Sequence, residues 1–360
     1  MRRRGPPIVI LVSLLLFACG GEQVLGQLDG VVAPRCDLAY RQRTRVRIDA
    51  QALDETLLGF PLLVRLDPSS FDYAAAGPSG EGLSFTSPDC TVLAHEVATW
   101  DPEGTSTLWV RVPELAAGAV QDIFLFTDQV TPVDTSDRFA VFEDGFAAVY
   151  HLDGDPIEDS SPARRTGADR STELVPGQIG GGRGFDGAAG IVISDAGFPE
   201  GLGARTACTW ARSTNDGNAF FFMFSYGVGA DEAGGFGMDR HGELLECVGG
   251  DGSRAREDGV FAAGDRSWRY VCCAYDGATA DLYIDGVRLA PTAHDWPVSL
   301  ASAQIGSSVG GATGGQTGAW VGDLDEVRVS DVSRSPDWIF AEYLTMRDDS
   351  IVTLFAAESL

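Results

Sequence analysis

The sequence contains no lysine: all 26 of its basic residues are arginine, against 52 aspartates and glutamates. The formal charge of −26 at pH 7 repels phosphate backbones and anionic lipid headgroups. We therefore expect no nucleic acid among its partners. The same acidic surface attracts divalent cations and keeps an exported protein soluble.

Zinc-binding motifs are also missing. No Cys-x-x-Cys pair occurs, and the four histidines are widely separated, so the sequence does not support a zinc site. The glycine-rich stretch GQIGGGRGFDG lacks the Lys-Ser/Thr of a phosphate-binding loop and predicts a turn. What is abundant instead is glycine and proline, 45 and 17 residues, in a chain whose length suits two domains.

The N-terminus has a long enough apolar run for export but not for a membrane span. Three arginines precede the run from Ile8 to Ala18, as in a signal peptide. The residues before Cys19 resemble a bacterial lipobox, which implies lipidation of Cys19 after cleavage of a signal over residues 1–19. We expect an exported lipoprotein at the outer membrane or cell surface, with residues 20–35 as a tether.

Six further cysteines follow, an even number in an oxidising compartment, so we expect disulfides. Cys36 and Cys90 are the two in the first half and are expected to pair with each other. The remaining four, Cys208, Cys247, Cys272 and Cys273, allow three pairings. Because adjacent strand residues point to opposite faces, Cys272 and Cys273 must have different partners.

Short alternating segments predict an all-β fold. RTRVRID places Thr44, Val46 and Ile48 on one face and three arginines on the other, and similar segments follow at spacings typical of a sandwich. YRQRTRVRID, FPLLVRLDPSSFDYAAA and the stretch up to IFLFTD resemble an uncharacterised bacterial surface domain of unknown function. That resemblance covers about Cys36 to Asp128 and implies an architecture without an activity.

A second unit resembles the concanavalin A-like, laminin-G-like jelly roll of bacterial surface proteins. The resemblance is carried by FAAVYHLDGDPIEDSSP, GRGFDGAAGIVIS, WRYVCCAYDGATADLYIDGVRL and GDLDEVRVSDVSRSPDWIFAEY, and covers about Phe142 to Tyr343. We therefore predict two β-sandwiches in tandem: an uncharacterised domain over 36–130, a jelly roll over 141–348, and a strand or tail over 349–360. FFFMFSY, from Phe220 to Tyr226, is expected to be a strand buried on both sides.

The acidic stretch GDLDEV is the main candidate for chemistry. A period of two sets Asp323 and Asp325 inward with Val327 and Val329, and Glu326 and Arg328 outward. An inward carboxylate needs backbone donors or a metal to satisfy it. In the resembling jelly rolls this region lies near a bound calcium, which implies Asp153, Asp186, Asp323 and Asp325 as ligands here; the alternative is a braced turn without metal.

Binding is favoured over catalysis. Jelly-roll glycosidases present several acids on one strand face, whereas Asp325 and Glu326 are adjacent and cannot act together on one bond. Trp296 and Trp320 are candidates for a sugar platform at a loop rim, with buried packing as the alternative. We expect a lipid-anchored protein that binds a glycan or a surface polymer or protein; the alternatives are a polysaccharide hydrolase or lyase and a structural spacer of the envelope.

Overall fold

The computed structural model describes residues 27–28, 31–32, 36, 39–131, 133–228, 234–250, 252–308 and 318–360. The predicted signal peptide, Cys19 and most of the tether lie outside the described residues. No helix in the described part of the chain has the length and apolar character to cross a membrane.

The elements follow one another in three groups. The first holds β1 (Gln27–Leu28), β2 (Val31–Val32), β3 (Tyr40–Asp49), β4 (Leu57–Leu66), a 3-10 helix (Tyr73–Ala75), β5 (Ser84–Thr86), β6 (Val92–Leu93), β7 (His95–Thr99), β8 (Ser106–Leu115) and β9 (Val120–Gln129). The second holds α1 (Arg138–Val141), β10 (Phe146–Tyr150), β11 (Ile157–Glu158), β12 (Thr166–Arg170), β13 (Glu173–Pro176), β14 (Gly181–Asp186), β15 (Gly190–Ile193), β16 (Arg205–Ser213), β17 (Phe220–Gly227), β18 (Gly235–His241), β19 (Leu244–Gly249), β20 (Ser253–Glu257), β21 (Arg269–Tyr275), β22 (Thr279–Ile284), β23 (Val287–Arg288), β24 (Thr292–Ala293), β25 (Ala303–Ile305) and β26 (Val321–Ser330). The third holds α2 (Pro336–Met346), β27 (Val352–Leu354) and β28 (Glu358–Ser359).

These strands form two sandwiches, so the all-β prediction is confirmed. The first sandwich packs a six-stranded sheet, β27-β3-β9-β5-β6 with β28 beside β3, against the three-stranded sheet β4-β8-β7. The second packs a nine-stranded sheet, β13-β14-β26-β16-β21-β22-β23 with β10 and β24 alongside, against the eight-stranded sheet β11-β12-β15-β25-β17-β18-β19-β20.

The acidic stretch lies in β26, where a β-bulge overturns part of the predicted alternation. The pairing of β26 with β16 shifts by one residue between Asp325 and Arg328, and Glu326 takes a positive φ of 52°. Leu324, Val327 and Val329 therefore face the core between the two sheets of the second sandwich. The inward placement of Asp323 and Asp325 was wrong, because the extra residue keeps the bulge from following a period of two.

The outer face of the nine-stranded sheet is covered by the first sandwich and by α2. One hydrophobic cluster combines first-sandwich residues such as Trp109 with Trp210, Tyr270 and Cys272 of that sheet face and with Ile339 of α2. Side chains that point out of the jelly roll are therefore buried. The C-terminal strands then return to the first sandwich, where Val352 to Leu354 pair with β3.

Three disulfides are present, as the cysteine count predicts. Cys36 pairs with Cys90 in the first sandwich. Cys208 pairs with Cys272 on the neighbouring strand, and Cys247 pairs with Cys273 across the two sheets of the second sandwich. Cys272 and Cys273 thus have different partners because they lie on opposite faces of β21.

Candidate functional site

Asp323 and Asp325 of the predicted calcium set have separate partners. Asp323 accepts a hydrogen bond from Arg212 Nε at 2.8 Å. Asp325 is fully buried and accepts one from the backbone N–H of Ile179 at 2.7 Å. Burial, with the neighbouring charge of Glu326, raises the pKa of Asp325 well above its ordinary value. Asp325 therefore braces the turn that contains Ile179.

The other two predicted ligands lie elsewhere. Asp186 is exposed and accepts from the backbone N–H groups of Ala188 and Ala189 in its own turn, which lower its pKa. Asp153 lines a small cavity between the sandwiches, and burial raises its pKa. Over the described ranges of the chain, no group of three or more His, Cys, Asp or Glu side chains is arranged to hold a metal ion. Calcium binding stays a prediction that these contacts do not support.

Glu326 and Arg328 point outward as predicted, into a buried ionic network between the two sandwiches. Glu326 accepts from His151 Nδ1 at 2.7 Å and from Arg328 at 2.9 Å, and His151 Nε2 lies 3.3 Å from Glu96 of the first sandwich. Burial opposes the imidazolium, but the two carboxylates outweigh it and raise the pKa of His151 well above its ordinary value. The network thus joins the two units.

Both tryptophans proposed as sugar platforms are fully buried, so that prediction is corrected. Trp296 packs between Tyr275, Phe236 and His294. Trp320 packs against Phe261 in the core of the second sandwich. Neither ring presents a face to a ligand, which leaves the alternative of buried packing.

A cavity of about 500 Å³ opens at one end of the second sandwich, and we call it the rim cavity. Its wall is formed by the first three residues of β17, Phe220, Phe221 and Phe222, and by small residues opposite them. These are Gly187, Ala219, Gly318, Ala319 and Val321. Phe220 is 40% exposed, whereas the strand is buried from Phe222 onward. The strand predicted to be buried on both sides is therefore buried from Phe222 onward, whereas its first two residues are open to solvent.

Next to the rim cavity lies a polar group, the acid–arginine cluster, made of Asp239, Glu246, Arg254 and Arg256. Asp239 and Glu246 are opposite each other on β18 and β19, and Arg254 Nη1 donates to both, at 2.6 and 2.9 Å. Arg256 Nε lies 3.3 Å from Glu246 and keeps 57% of its side chain exposed.

Cation–π contact connects the cluster to the cavity. The guanidinium of Arg254 lies 4.6 Å from the centroid of the Phe220 ring, and His241 stacks on the same ring at 4.2 Å. Exposed apolar rings beside fixed polar groups are the usual composition of a ligand site. The arrangement can hold a ring-shaped ligand against the phenylalanines and offer it hydrogen bonds from the arginines.

Little in the sequence points to this site. Its strand residues come from five strands, β17, β18, β19, β20 and β26, and the phenylalanine run is predicted to be buried because periodicity does not show where a strand leaves the core. Asp239 and Glu246 are seven residues apart in the chain, and only the tight turn between β18 and β19 brings them together. His241 and Leu244 are opposite each other, so Gly242 and Glu243 form the two-residue hairpin turn that sets this pairing, and Gly242 takes a positive φ of 63° there.

Comparison with protein families agrees with this architecture. Residues 184–340 match the family described as the concanavalin A-like lectin/glucanases superfamily. The second sandwich is a concanavalin A-like domain. Residues 79–153 match a domain of unknown function, so the match begins and ends later than the resemblance expected for the first unit. A search of curated proteins found no match.

Two of the solved structures similar to the chain are domains in complex with another molecule. One is domain 4 of AbnA, an extracellular arabinanase from Geobacillus stearothermophilus, in complex with arabinotriose, at 16% identity and a TM-score of 0.42, covering 54% of this chain and 97% of that one. Another is the binding domain of botulinum neurotoxin DC in complex with rat synaptotagmin II, at 9% identity and a TM-score of 0.45, covering 57% and 52%. The chain thus spans about half of the neurotoxin domain. Similarity at this level does not say what the concanavalin A-like domain of this chain binds.

Proposed function

We propose that the concanavalin A-like domain binds a glycan at the rim cavity without cleaving it. The observation that carries the proposal is an open cavity walled by Phe220 and Phe221 beside the acid–arginine cluster. Aromatic rings cover the apolar C–H face of a sugar, and charged side chains supply directed hydrogen bonds to its hydroxyls. Arg256, more than half exposed, is the donor best placed to meet a ligand.

One observation favours an alternative function, cleavage of the glycan. Asp239 and Glu246 are a facing carboxylate pair, the feature that glycosidases need. Here the space between their oxygens holds Arg254 Nη1, and both carboxylates are at least 99% buried. A glycosidic oxygen has no room between them, so binding accounts better for the geometry.

Anchoring is part of the same proposal. We infer export and attachment to the outer membrane or cell surface through a lipid on Cys19, on the strength of the sequence resemblance alone. Incorporation of labelled palmitate that is lost in Cys19→Ser is the direct check. A glycan of the cell surface or of its surroundings would then lie within reach of the domain.

The test of the binding function is a glycan array followed by calorimetry on the full chain. Phe220→Ala should weaken binding by about tenfold or more, because a lost aromatic contact of roughly 1.5 kcal/mol corresponds to that factor. Leu58→Ala, an exposed apolar residue of the first sandwich, is the control and should not change the affinity.

Two outcomes would replace the proposal. If bound glycan is cleaved and Glu246→Gln stops the cleavage, the chain is a hydrolase. If no glycan binds, or if Phe220→Ala binds glycan as tightly as wild type, the structural spacer is the better account.

A further inference from the structure

Among the described residues, none forms a hydrogen bond or an ion pair with the buried Nε and Nη1 atoms of Arg240. Arg240 is 1% exposed. Other buried arginines of the described chain differ: Arg205 donates to Tyr226 and to the backbone of Trp296, and Arg328 donates to two glutamates. A buried charge without a partner costs several kcal/mol, so its presence needs an explanation.

Arg240 lies beside the rim cavity. It is directly opposite Phe221 in the pairing of β17 with β18, and its Cζ lies 5.7 Å from the centroid of the Phe221 ring, which lines the cavity. Residues directly opposite in an antiparallel pair share a face. The guanidinium is therefore one side chain away from the proposed ligand.

The two acids whose charges act on Arg240 are already engaged. Asp216 is held by both terminal nitrogens of Arg266, each at 3.0 Å, and by the backbone N–H of Gly264. Glu243 accepts from the backbone N–H of Ala263 at 3.0 Å. Burial, more than these neighbours, lowers the pKa of Arg240. Asp216 and Glu243 thus act on Arg240 only through their charge, and within the described part of the chain its Nε and Nη1 atoms have no hydrogen-bond partner.

We infer that Arg240 recognises a carboxylate on the ligand, so that the preferred ligand is a glycan containing uronic acid or another carboxylated sugar. This inference rests on the proposed glycan-binding function. The planar fork of a guanidinium matches the two oxygens of a carboxylate, and such a bond in a water-poor site is stronger than a neutral one. The overall charge of −26 disfavours a doubly charged phosphate more than a singly charged carboxylate.

The experiment compares matched ligands that differ in charge alone: oligogalacturonate and oligomannuronate against their methyl esters, by titration calorimetry with the full chain. Wild type should bind at least one acid about ten- to a hundredfold more tightly than its ester, the range expected for one charge-assisted hydrogen-bonded pair. Arg240→Gln should remove that preference and leave ester binding unchanged. Arg266→Gln removes a nearby charge already paired with Asp216 and should keep the preference.

A stability measurement separates recognition from a structural role. Arg240→Met should unfold at the same or a higher temperature than wild type without ligand, because it removes an unpaired buried charge. A structural arginine would instead make the variant less stable. Loss of acid preference together with unchanged or raised stability is the combination expected of a recognition residue.

The outcomes are distinct for the two proposals. If wild type binds acids and esters equally, or binds neutral glycans only, Arg240 has no recognition role while glycan binding stands. The same holds if Arg240→Gln weakens both forms equally. If a glutamate-rich peptide binds and no glycan does, both proposals are wrong.

Discussion

At the scale of single residues, the most constrained group is His151. Its ring bridges Glu326 on β26 and Glu96 on β7, and it stacks on Trp109 with ring centroids 5.9 Å apart. Without the imidazolium, Glu326 would keep Arg328 as its cationic partner and Glu96 would keep Arg138, 3.5 Å away. One titratable proton thus supplies part of the charge balance inside the interface.

We predict that His151→Gln destabilises the protein by about 3–5 kcal/mol, the usual cost of breaking a buried ion pair from one side. The pKa of folded His151 is raised above its unfolded value of about 6.5. Its contribution is therefore complete below about pH 6.5 and is lost as pH rises through the folded pKa. Wild-type stability, followed by urea unfolding from pH 6 to 9, should fall more steeply than that of the variant.

His241→Gln, which changes a histidine on the other sheet, is the control and should keep the wild-type slope. Asp325 also contributes a loss of folding stability as pH rises, because its folded pKa is raised above its unfolded value. The charge of His151 lowers the pKa of Asp325, so the difference in slope between wild type and His151→Gln reports the network to which both residues belong. Equal slopes in wild type and His151→Gln would contradict the assignment.

At the scale of elements, α2 covers the open edge of β4. Thr345 Oγ1 accepts from the backbone N–H of Leu63 at 3.0 Å and lies 3.5 Å from its carbonyl oxygen, as a paired strand would. Arg65 donates to the last carbonyls of the helix, those of Thr345 and Met346. An exposed strand edge is a site of unwanted pairing, and a helix that covers it removes that hazard.

Thr345→Val should therefore cost about 1–3 kcal/mol, because the isosteric side chain leaves the buried N–H of Leu63 without an acceptor. Thermal unfolding of the full chain measures the loss. Thr345→Ser keeps the hydroxyl and should recover most of the stability. A valine variant as stable as wild type would show that the helix covers β4 by packing alone.

The elements themselves were largely predictable, and their contacts were not. Alternation in RTRVRID predicts a strand, and the expected export predicts disulfides for the cysteines. The dipeptide Asp285-Gly286 is of a type typical of two-residue hairpin turns, and it forms the turn between β22 and β23. The bulge at Glu326 could not be predicted, since one inserted residue leaves no mark in composition. The burial of Arg328 and the opening at Phe220 could not be predicted either, because each depends on which surface a distant segment covers.

At the scale of the whole molecule, the chain forms two sandwiches that do not stand apart. The hydrophobic cluster of the first sandwich continues across the interface, and the C-terminal strands complete its larger sheet after the second sandwich is finished. Glu358 adds an ion pair to Arg43 at 2.9 Å. Shared burial of this kind couples the stability of two units.

We predict a single calorimetric transition for the full chain, and a transition at a lower temperature when residues 350–360 are removed. The deletion takes away β27 and β28 and with them several backbone hydrogen bonds to β3, so the loss should be roughly 3 kcal/mol at about 1 kcal/mol per bond. Removal of residues 356–360 keeps β27 and should cost less than half as much. If the longer deletion splits the transition, with an unchanged component for the concanavalin A-like domain, the two sandwiches fold independently and the interface network does not couple them.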